Sequence, residues 1–312
     1  MNPVSAVFAA GVAVRNGLYD RKFLPVRKLS LPVVSVGNIS VGGAGKTPFV
    51  MSLGNLLQER GIDFDVLSRG YGRESSETLV VDPEGAPDRF GDEPLLIARK
   101  LHVPVIVAAD RYQAGLLAEK KFASKLHLLD DGFQHRQLHR DFDIVLLQPN
   151  DLTDVPLPMG RLREPLAALR RADAVVLPPN VSDEEVRGFI WRARRNIGFV
   201  TPMTRVVVFC GIARPEQFFS ALKQLGMDVA ATLAFPDHHH YRQRDIDRLL
   251  KLKAKVAARG FITTDKDAIN LGPLFSQLRT FETAGLELQL EHAPEAITTL
   301  LAALEERCGC KF

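Results

Sequence analysis

The 312-residue sequence predicts an α/β fold: a parallel sheet with helices on both faces, followed by a second, smaller α/β domain. Three observations predict it. From Pro32 onward, short runs rich in Val, Ile and Leu alternate with segments of helical period. The short runs are apolar at nearly every position, as strands covered on both faces are. And "SVGNISVGGAGKTPFV", residues 35 to 50, passes from such a run through a glycine-rich loop into a helical pattern.

Taken in order, "LPVVSVGN" supplies the first strand. The helix after the glycine loop runs through "FVMSLGNLLQERG", with apolar residues at Phe49, Val50, Leu53, Leu56 and Leu57 and Gly61 as its stop. "DFDVLSRGYGR" is a second strand entering a glycine-flanked loop, and "VPVIVAAD" and "KLHLLDDG" are two more runs that end in acidic residues. "FDIVLLQP" and "ADAVVLPP" follow. "TRVVVFCGIARPEQFFSALKQLG" then starts a fresh strand, glycine turn and helix, which places a boundary near residue 200. The expected organisation is an N-terminal segment over 1–28, a phosphate-binding domain over 29–198 and a C-terminal α/β domain over 199–312 that closes over the active site. The long, charged, proline-containing loop "NDLTDVPLPMGRLREPL" reads as functional.

Composition narrows the function. A 46% hydrophobic content fills real cores. A net charge of +3, with no basic tract interleaved with aromatics, argues against nucleic acid as a partner. Cys210, Cys308 and Cys310 form neither a disulfide framework nor a metal-binding spacing, which fits a reducing, cytoplasmic setting. The apolar stretch "VSAVFAAGVAV" (4–14) is too short to cross a bilayer, which takes roughly 20 residues. Its positive charges, Arg15, Arg21, Lys22, Arg27 and Lys28, follow the apolar run, whereas an export signal carries them before it. Two readings stand: a helix packed on the body of the protein, or a helix in a membrane interface with its basic flank toward anionic headgroups.

The loop "SVGGAGKT" fits a P-loop at Gly45, Lys46 and Thr47, with Ser40 where the general pattern has glycine, so the sheet is expected to be P-loop NTPase-like. The backbone from Gly42 and Gly43 through Ala44 to Gly45 can crowd N–H groups round a phosphate. Lys46 can reach terminal phosphates, Thr47 can ligate Mg²⁺, and the following helix N-terminus favours negative charge. Such a loop needs an acidic group from a neighbouring strand end to hold the metal, and "LHLLDDGFQH" provides Asp130 and Asp131, with either able to be the ligand. Gln134 and His135 follow, placed to approach phosphates or substrate. In "GDEP", Asp92 and Glu93 are either a helix-capping pair or a functional one. "FPDHHHY" crowds Asp237 and three histidines, His238 to His240, which point in different directions; one catalytic histidine with a carboxylate is the economical reading.

Seven motifs in order, "VGNISVGGAGKTP", "SRGYGR", "GDEP", "DDGFQH", "GRLREP", "FPDHH" and "TTDKDA", spread over residues 36 to 268, together resemble the tetraacyldisaccharide 4'-kinase family of lipid A biosynthesis. Ser40 is what that family shows. The resemblance implies a peripheral kinase at the cytoplasmic face of the bacterial inner membrane. It moves the γ-phosphoryl group of ATP, with Mg²⁺, to the 4'-hydroxyl of a lipid-linked tetraacyldisaccharide 1-phosphate, forming lipid IVA, and no protein partner is implied. Carried over by motif, Lys46 and Thr47 match the P-loop pair, Asp130 and Asp131 the metal-side aspartates, and Asp92 and His238 a catalytic carboxylate and histidine. Tyr71 matches a residue near the adenine, and Asn38, Arg69, Arg111, Gln134, His135, Arg163 and Glu164 match positions lining the active site. The apolar leader matches a membrane-docking segment.

Two other classes stand against this reading. A nucleotide-switch NTPase would use the spacing from Asp130 to Gln134 to position water. However, "TTDKDA" matches a guanine-recognition motif only superficially, because Lys266 and Asp267 are adjacent. A soluble small-molecule kinase differs from the lipid kinase in lacking membrane affinity at the N-terminus.

Overall fold

The structure is a computed structural model that describes residues 3–184, 186–198 and 203–312. The chain opens with α1 (Pro3–Asp20), then lays down β1 (Val33–Asn38), α2 (Lys46–Glu59), β2 (Phe64–Ser68), β3 (Leu79–Val80), a single turn α3 (Pro87–Phe90) and α4 (Asp92–Leu101). It continues through β4 (Val105–Val107), α5 (Arg111–Lys121), β5 (Leu126–Asp130), β6 (Phe142–Leu146), β7 (Ala174–Leu177) and the long β8 (Phe189–Ile197). The second half contains β9 (Val206–Cys210), α6 (Pro215–Gln224), β10 (Val229–Ala234), α7 (Gln243–Lys255), β11 (Gly260–Thr264), α8 (Asp265–Leu271), β12 (Phe281–Ala284), β13 (Leu286–Leu290) and α9 (Ala293–Cys308).

Two sheets result. The larger has the order β13-β8-β7-β6-β1-β5-β2-β4-β3, parallel from β8 to β4, with β13 and β3 antiparallel at its edges. Strands β1, β2, β5 and β6 are buried at every position, which is why apolar residues dominate them, although Ser35, Asp65, His127 and Asp143 are buried among those residues. Side chains of α2, α4 and α9 cover one face of this sheet, and α5 with Leu29 covers the other. The smaller sheet, β10-β9-β11-β12, is parallel throughout. Phe218, Phe219 and Leu222 of α6 pack on one face of it, and Ile246 and Leu249 of α7 on the other.

The end of the chain departs from the sequence expectation. Residues 286–308, expected to lie in the C-terminal unit, return to the large sheet. There β13 pairs with β8, and Ile297, Leu300 and Leu304 of α9 join the core that holds Phe49 and Leu53 of α2. Arg307 of α9 locks this return by donating to the Asp141 carbonyl at 2.6 Å and to Asp173 Oδ1 at 2.7 Å. The smaller lobe, about residues 203–284, is thus an excursion from a single large sheet. The expected boundary at 198/199 adjoins residues 199–202, which lie outside the described residues. Strand β8 was not anticipated because its arginines mask an alternation in which Trp191 and Ala193 point inward, Trp191 lying flat near Phe142 with ring centroids 6.1 Å apart.

Candidate active site

Sheet order positions the site. β1 lies between β5 and β6, and Val36 is paired with Asp130, so the glycine loop and the acidic end of β5 emerge side by side. Gly42 and Gly45 take φ of 91° and 89°, a left-handed backbone that glycine adopts without strain. Close approach also requires glycine at position 45: a Cβ there would lie 2.7 Å from Leu288 Cδ1 of β13. Side chains outside the loop hold its carbonyls from behind. Arg161 donates to Val41 O (2.7 Å), Arg195 to Gly43 O (3.0 Å) and Gln148 to Ala44 O (3.0 Å). The loop lines one wall of a cleft of ≈ 800 Å³ between the two lobes.

On this wall Lys46 Nζ lies 3.2 Å from Asn38 Oδ1 and 3.4 Å from Asp131 Oδ1. Arg163 also donates to Asp131, at 3.1 and 3.2 Å. Burial opposes ionisation of Asp131, but Lys46 and Arg163 outweigh it and hold its carboxyl below the ordinary range. Its neighbour Asp130 is different. Burial, with like charge from Glu93 and Asp131, raises its pKa to about 7, and its Oδ1 is buried without a hydrogen-bond partner while Oδ2 accepts from Ser68 at 3.3 Å. Thr47 is buried at the start of α2. Gln134 donates its amide to Asn38 O at 2.9 Å, which ties it to the P-loop strand. Burial and the adjacent Arg111 guanidinium push His135 down to about 4. Arg111 itself is buried, with its Nε unpartnered. Glu164 pairs with Arg171 at 2.9 Å and accepts from Asn16 of α1 at 2.7 Å, while Arg69 is exposed on the rim.

A second wall belongs to α4 and α8, which lie against each other, and to the loop carrying the histidines. Asp92 opens α4, and His238 Nδ1 lies 2.9 Å from its Oδ2, although 146 positions separate the two in sequence. The other histidines face elsewhere: His239 meets Asp245 at 3.1 Å and stacks on Phe235, and His240 meets Asp88 at 3.2 Å on the surface. Burial opposes ionisation of Asp92, but the His238 hydrogen bond and the Lys266 charge outweigh it and draw its pKa to about 2. Asn270 donates to Asp92 at 3.0 Å and the Glu93 amide at 2.8 Å. Tyr71, 64% exposed, sets its ring 5.1 Å from that of His238. The motifs "RGYGR", "GDEP" and "FPDHH" therefore meet at one point.

Comparison with known proteins decides the family. The model of the tetraacyldisaccharide-1-P 4'-kinase family matches residues 1–305. The chain belongs to this family. Among its relatives, the tetraacyldisaccharide 4'-kinase of Koribacter versatilis is 50% identical over 99% of this chain and 100% of that protein. The one from Aquifex aeolicus is 40% identical over 86% of this chain and 88% of the relative. A crystal structure of the "apo" form of LpxK from Aquifex aeolicus in complex with ATP superposes with a TM-score of 0.81 at 36% identity, covering 96% of this chain and 97% of that one. As a member of the family, this kinase has side chains at or just behind its cleft that sequence reasoning did not single out: Ser68, Gln148, Arg195, Lys266 and Asn270. Of these, Lys266 carried a signal, since it stands inside a motif quoted from the sequence.

Proposed function

We propose that the chain transfers the γ-phosphoryl group of ATP to the 4'-hydroxyl of a tetraacyldisaccharide 1-phosphate through two walls with separate tasks. The P-loop wall holds the phosphates. Its backbone N–H groups and the N-terminus of α2 favour the anion, and Lys46, already released from solvent onto Asn38 and Asp131, offers a charge-assisted contact to the terminal phosphates. The facing wall handles the acceptor. Asp92 stays ionised and accepts the hydroxyl proton as the phosphoryl group departs, while His238 holds its orientation. A weak base suffices, because the transition state of phosphoryl transfer is loose and calls for little proton removal before bond breaking. Tyr71, beside His238, is better placed to flank the reacting groups than to cover a base.

The residues present fit Mg²⁺. The orphaned, buried Oδ1 of Asp130 and its raised pKa mark a carboxylate without a cation, with Thr47 and Asp131 nearby. Among the described residues no three His, Cys, Asp or Glu side chains could hold a metal by themselves, which suits an ion that keeps waters and phosphate oxygens in its shell. When bound, Mg²⁺ neutralises charge on the transferring phosphates.

The lipid reading draws on α1. Among the described residues no helix is long and apolar enough to cross a membrane. Yet Val7 (73% exposed), Val14, Leu18 and Phe23 are turned outward, Met159 of the adjoining loop is exposed beside them, and the basic residues of 15–28 flank the patch. This arrangement supports peripheral docking on an anionic membrane surface, with acyl chains left in lipid while the sugar enters the cleft. The observation that carries the whole reading is the contact of Asp92 with His238, which lines the same cleft as Lys46 and Asp131. Phosphorylation from ATP should occur with a disaccharide lipid acceptor in detergent and be absent with a water-soluble sugar; equal rates on both would remove the lipid from the specificity.

A further inference from the structure

Lys266 meets four titratable groups of the Asp92 wall at once. Its Nζ lies 3.2 Å from His238 Nε2, 3.4 Å from Asp237 Oδ1 and 3.7 Å from both Asp92 Oδ2 and Glu93 Oε1. The side chain is 14% exposed and has little freedom to leave. Its helix is fixed to the histidine loop by a buried network. Asp267, next in sequence, accepts from Gly211 N (2.7 Å), from the Tyr241 hydroxyl (2.8 Å) and from the Thr264 hydroxyl, and Gly211 O in turn accepts from His238 N at 3.2 Å. Lys266 and His238 are therefore set in mutual register by fully buried groups.

An ammonium has donors only, so the imidazole nitrogen it faces must be the bare one. The other nitrogen, Nδ1, faces Asp92 and must carry the proton. We propose that Lys266 is a positioning residue that holds His238 as a neutral imidazole with its single proton on Nδ1, aimed at Asp92. The proposal rests on the acceptor role assigned above to Asp92 and His238. Its chemical sense is that a neutral imidazole steers the carboxylate without fully pairing it, whereas an imidazolium would lock Asp92 in an ion pair and weaken it as a proton acceptor. The groups facing His238 are Asp92 from α4, Asp237 from its own loop, Lys266 from α8 and the ring of Tyr71. Burial disfavours the charged ring and the Asp92 hydrogen bond favours it, with a net rise in pKa; Lys266 is the cation that restrains that rise. Three carboxylates, Glu93, Asp92 and Asp237, overcome the effect of burial on Lys266 and raise its own pKa, so it remains the donor.

The test compares Lys266→Met, Lys266→Gln and Lys266→Arg with the parent in the full chain. For Lys266→Met the acid limb of kcat against pH should move up by about one unit, as loss of a neighbouring like charge predicts. At neutral pH kcat should fall about ten-fold, with the KM for ATP changed by less than about three-fold, as expected when an interaction serves the transition state alone. Lys266→Arg and, in part, Lys266→Gln should restore the limb, because both keep a donor. Nitrogen-15 spectra of the His238 ring, assigned with His238→Gln, should show bare Nε2 in the parent and a protonated ring at higher pH in Lys266→Met. An unmoved limb with unchanged ring spectra overturns the proposal, and so does a large rise in the KM for ATP at constant kcat, which would make Lys266 a phosphate ligand. Asp92→Asn and His238→Gln run alongside: full kcat in both would overturn the acceptor role of that pair, whatever the spectra show for Lys266.

Discussion

The two walls of the cleft are built on opposite electrostatic terms. On the P-loop wall Asp130 is buried with one oxygen lacking a hydrogen-bond partner and a pKa raised to about 7. On the α4 wall Asp92 is equally buried but is surrounded by His238, Asn270, Lys266 and the Glu93 amide, and its pKa drops to about 2. The first wall holds a buried carboxylate oxygen with no hydrogen-bond partner, and the second surrounds its carboxylate with donors. The difference teaches that burial alone pushes a carboxylate toward its neutral form, whereas burial among donors and a cation keeps it ionised.

Breaking the P-loop wall should cost most. Lys46→Ala should lower kcat by about 10³-fold, the scale of losing one positioned charged donor at a transition state, with the fold intact because the side chain lies in the cleft. Circular dichroism together with single-turnover kinetics checks both halves of that statement. On the other wall, Asp92→Ala and His238→Ala should each lower kcat by about 10²-fold with little effect on ATP affinity, and the double variant should be hardly worse than either. Multiplicative losses would mean that the two side chains work separately.

Stability sharpens the contrast, because the same substitution should act with opposite sign on the two walls. Asp130→Asn removes an unpaired buried carboxylate and should stabilise the ligand-free, magnesium-free protein by about 1–2 kcal/mol in urea unfolding at neutral pH. Asp92→Asn should destabilise it by about 2 kcal/mol, and the pH dependence should identify the cause. The Asp92 carboxyl is depressed on folding, so its contribution is present above about pH 4 and is lost as pH falls toward 2. The parent and Asp92→Asn should therefore converge in that window; parallel curves would show that Asp92 contributes through shape rather than charge. The smallest effect concerns neither wall. Deleting residues 1–28 should raise the apparent KM for lipid about ten-fold and leave that for ATP nearly unchanged, and salt should imitate part of the loss by screening the basic flank. Pelleting of the truncated chain with anionic vesicles in high salt would locate the anchor elsewhere.

Much of this was legible in the sequence because it depends on local chemistry. The strands of the parallel core were visible as apolar runs, since burial on both faces leaves few polar positions to break the pattern. Lys46, Thr47 and the Asp130–Asp131 pair could be singled out because a strand end and a helix start both have sequence signatures. The partner of Asp92 came only through family resemblance, since no periodicity links position 92 to 238. Lys266 stood in a quoted motif but gained its meaning from α4 and α8 meeting in space. The strand β13 and helix α9 were misplaced for a similar reason: an antiparallel edge strand can pair locally or at long range, and the residues of β13 do not say which.

The return of β13 and α9 to the first sheet orders the fold in time as well as in space. A ribosome delivers the glycine loop and its central strands early, then the whole smaller lobe, and only at the end the segment whose Leu288 backs Gly45 and whose helix seals Phe49 and Leu53 into the core. Because domains generally fold as the chain emerges, the sheet begun first is the last to be closed. A nascent or truncated chain ending before residue 286 carries every motif named above yet lacks the backing of its own glycine loop, which is supplied only when β13 has joined the sheet.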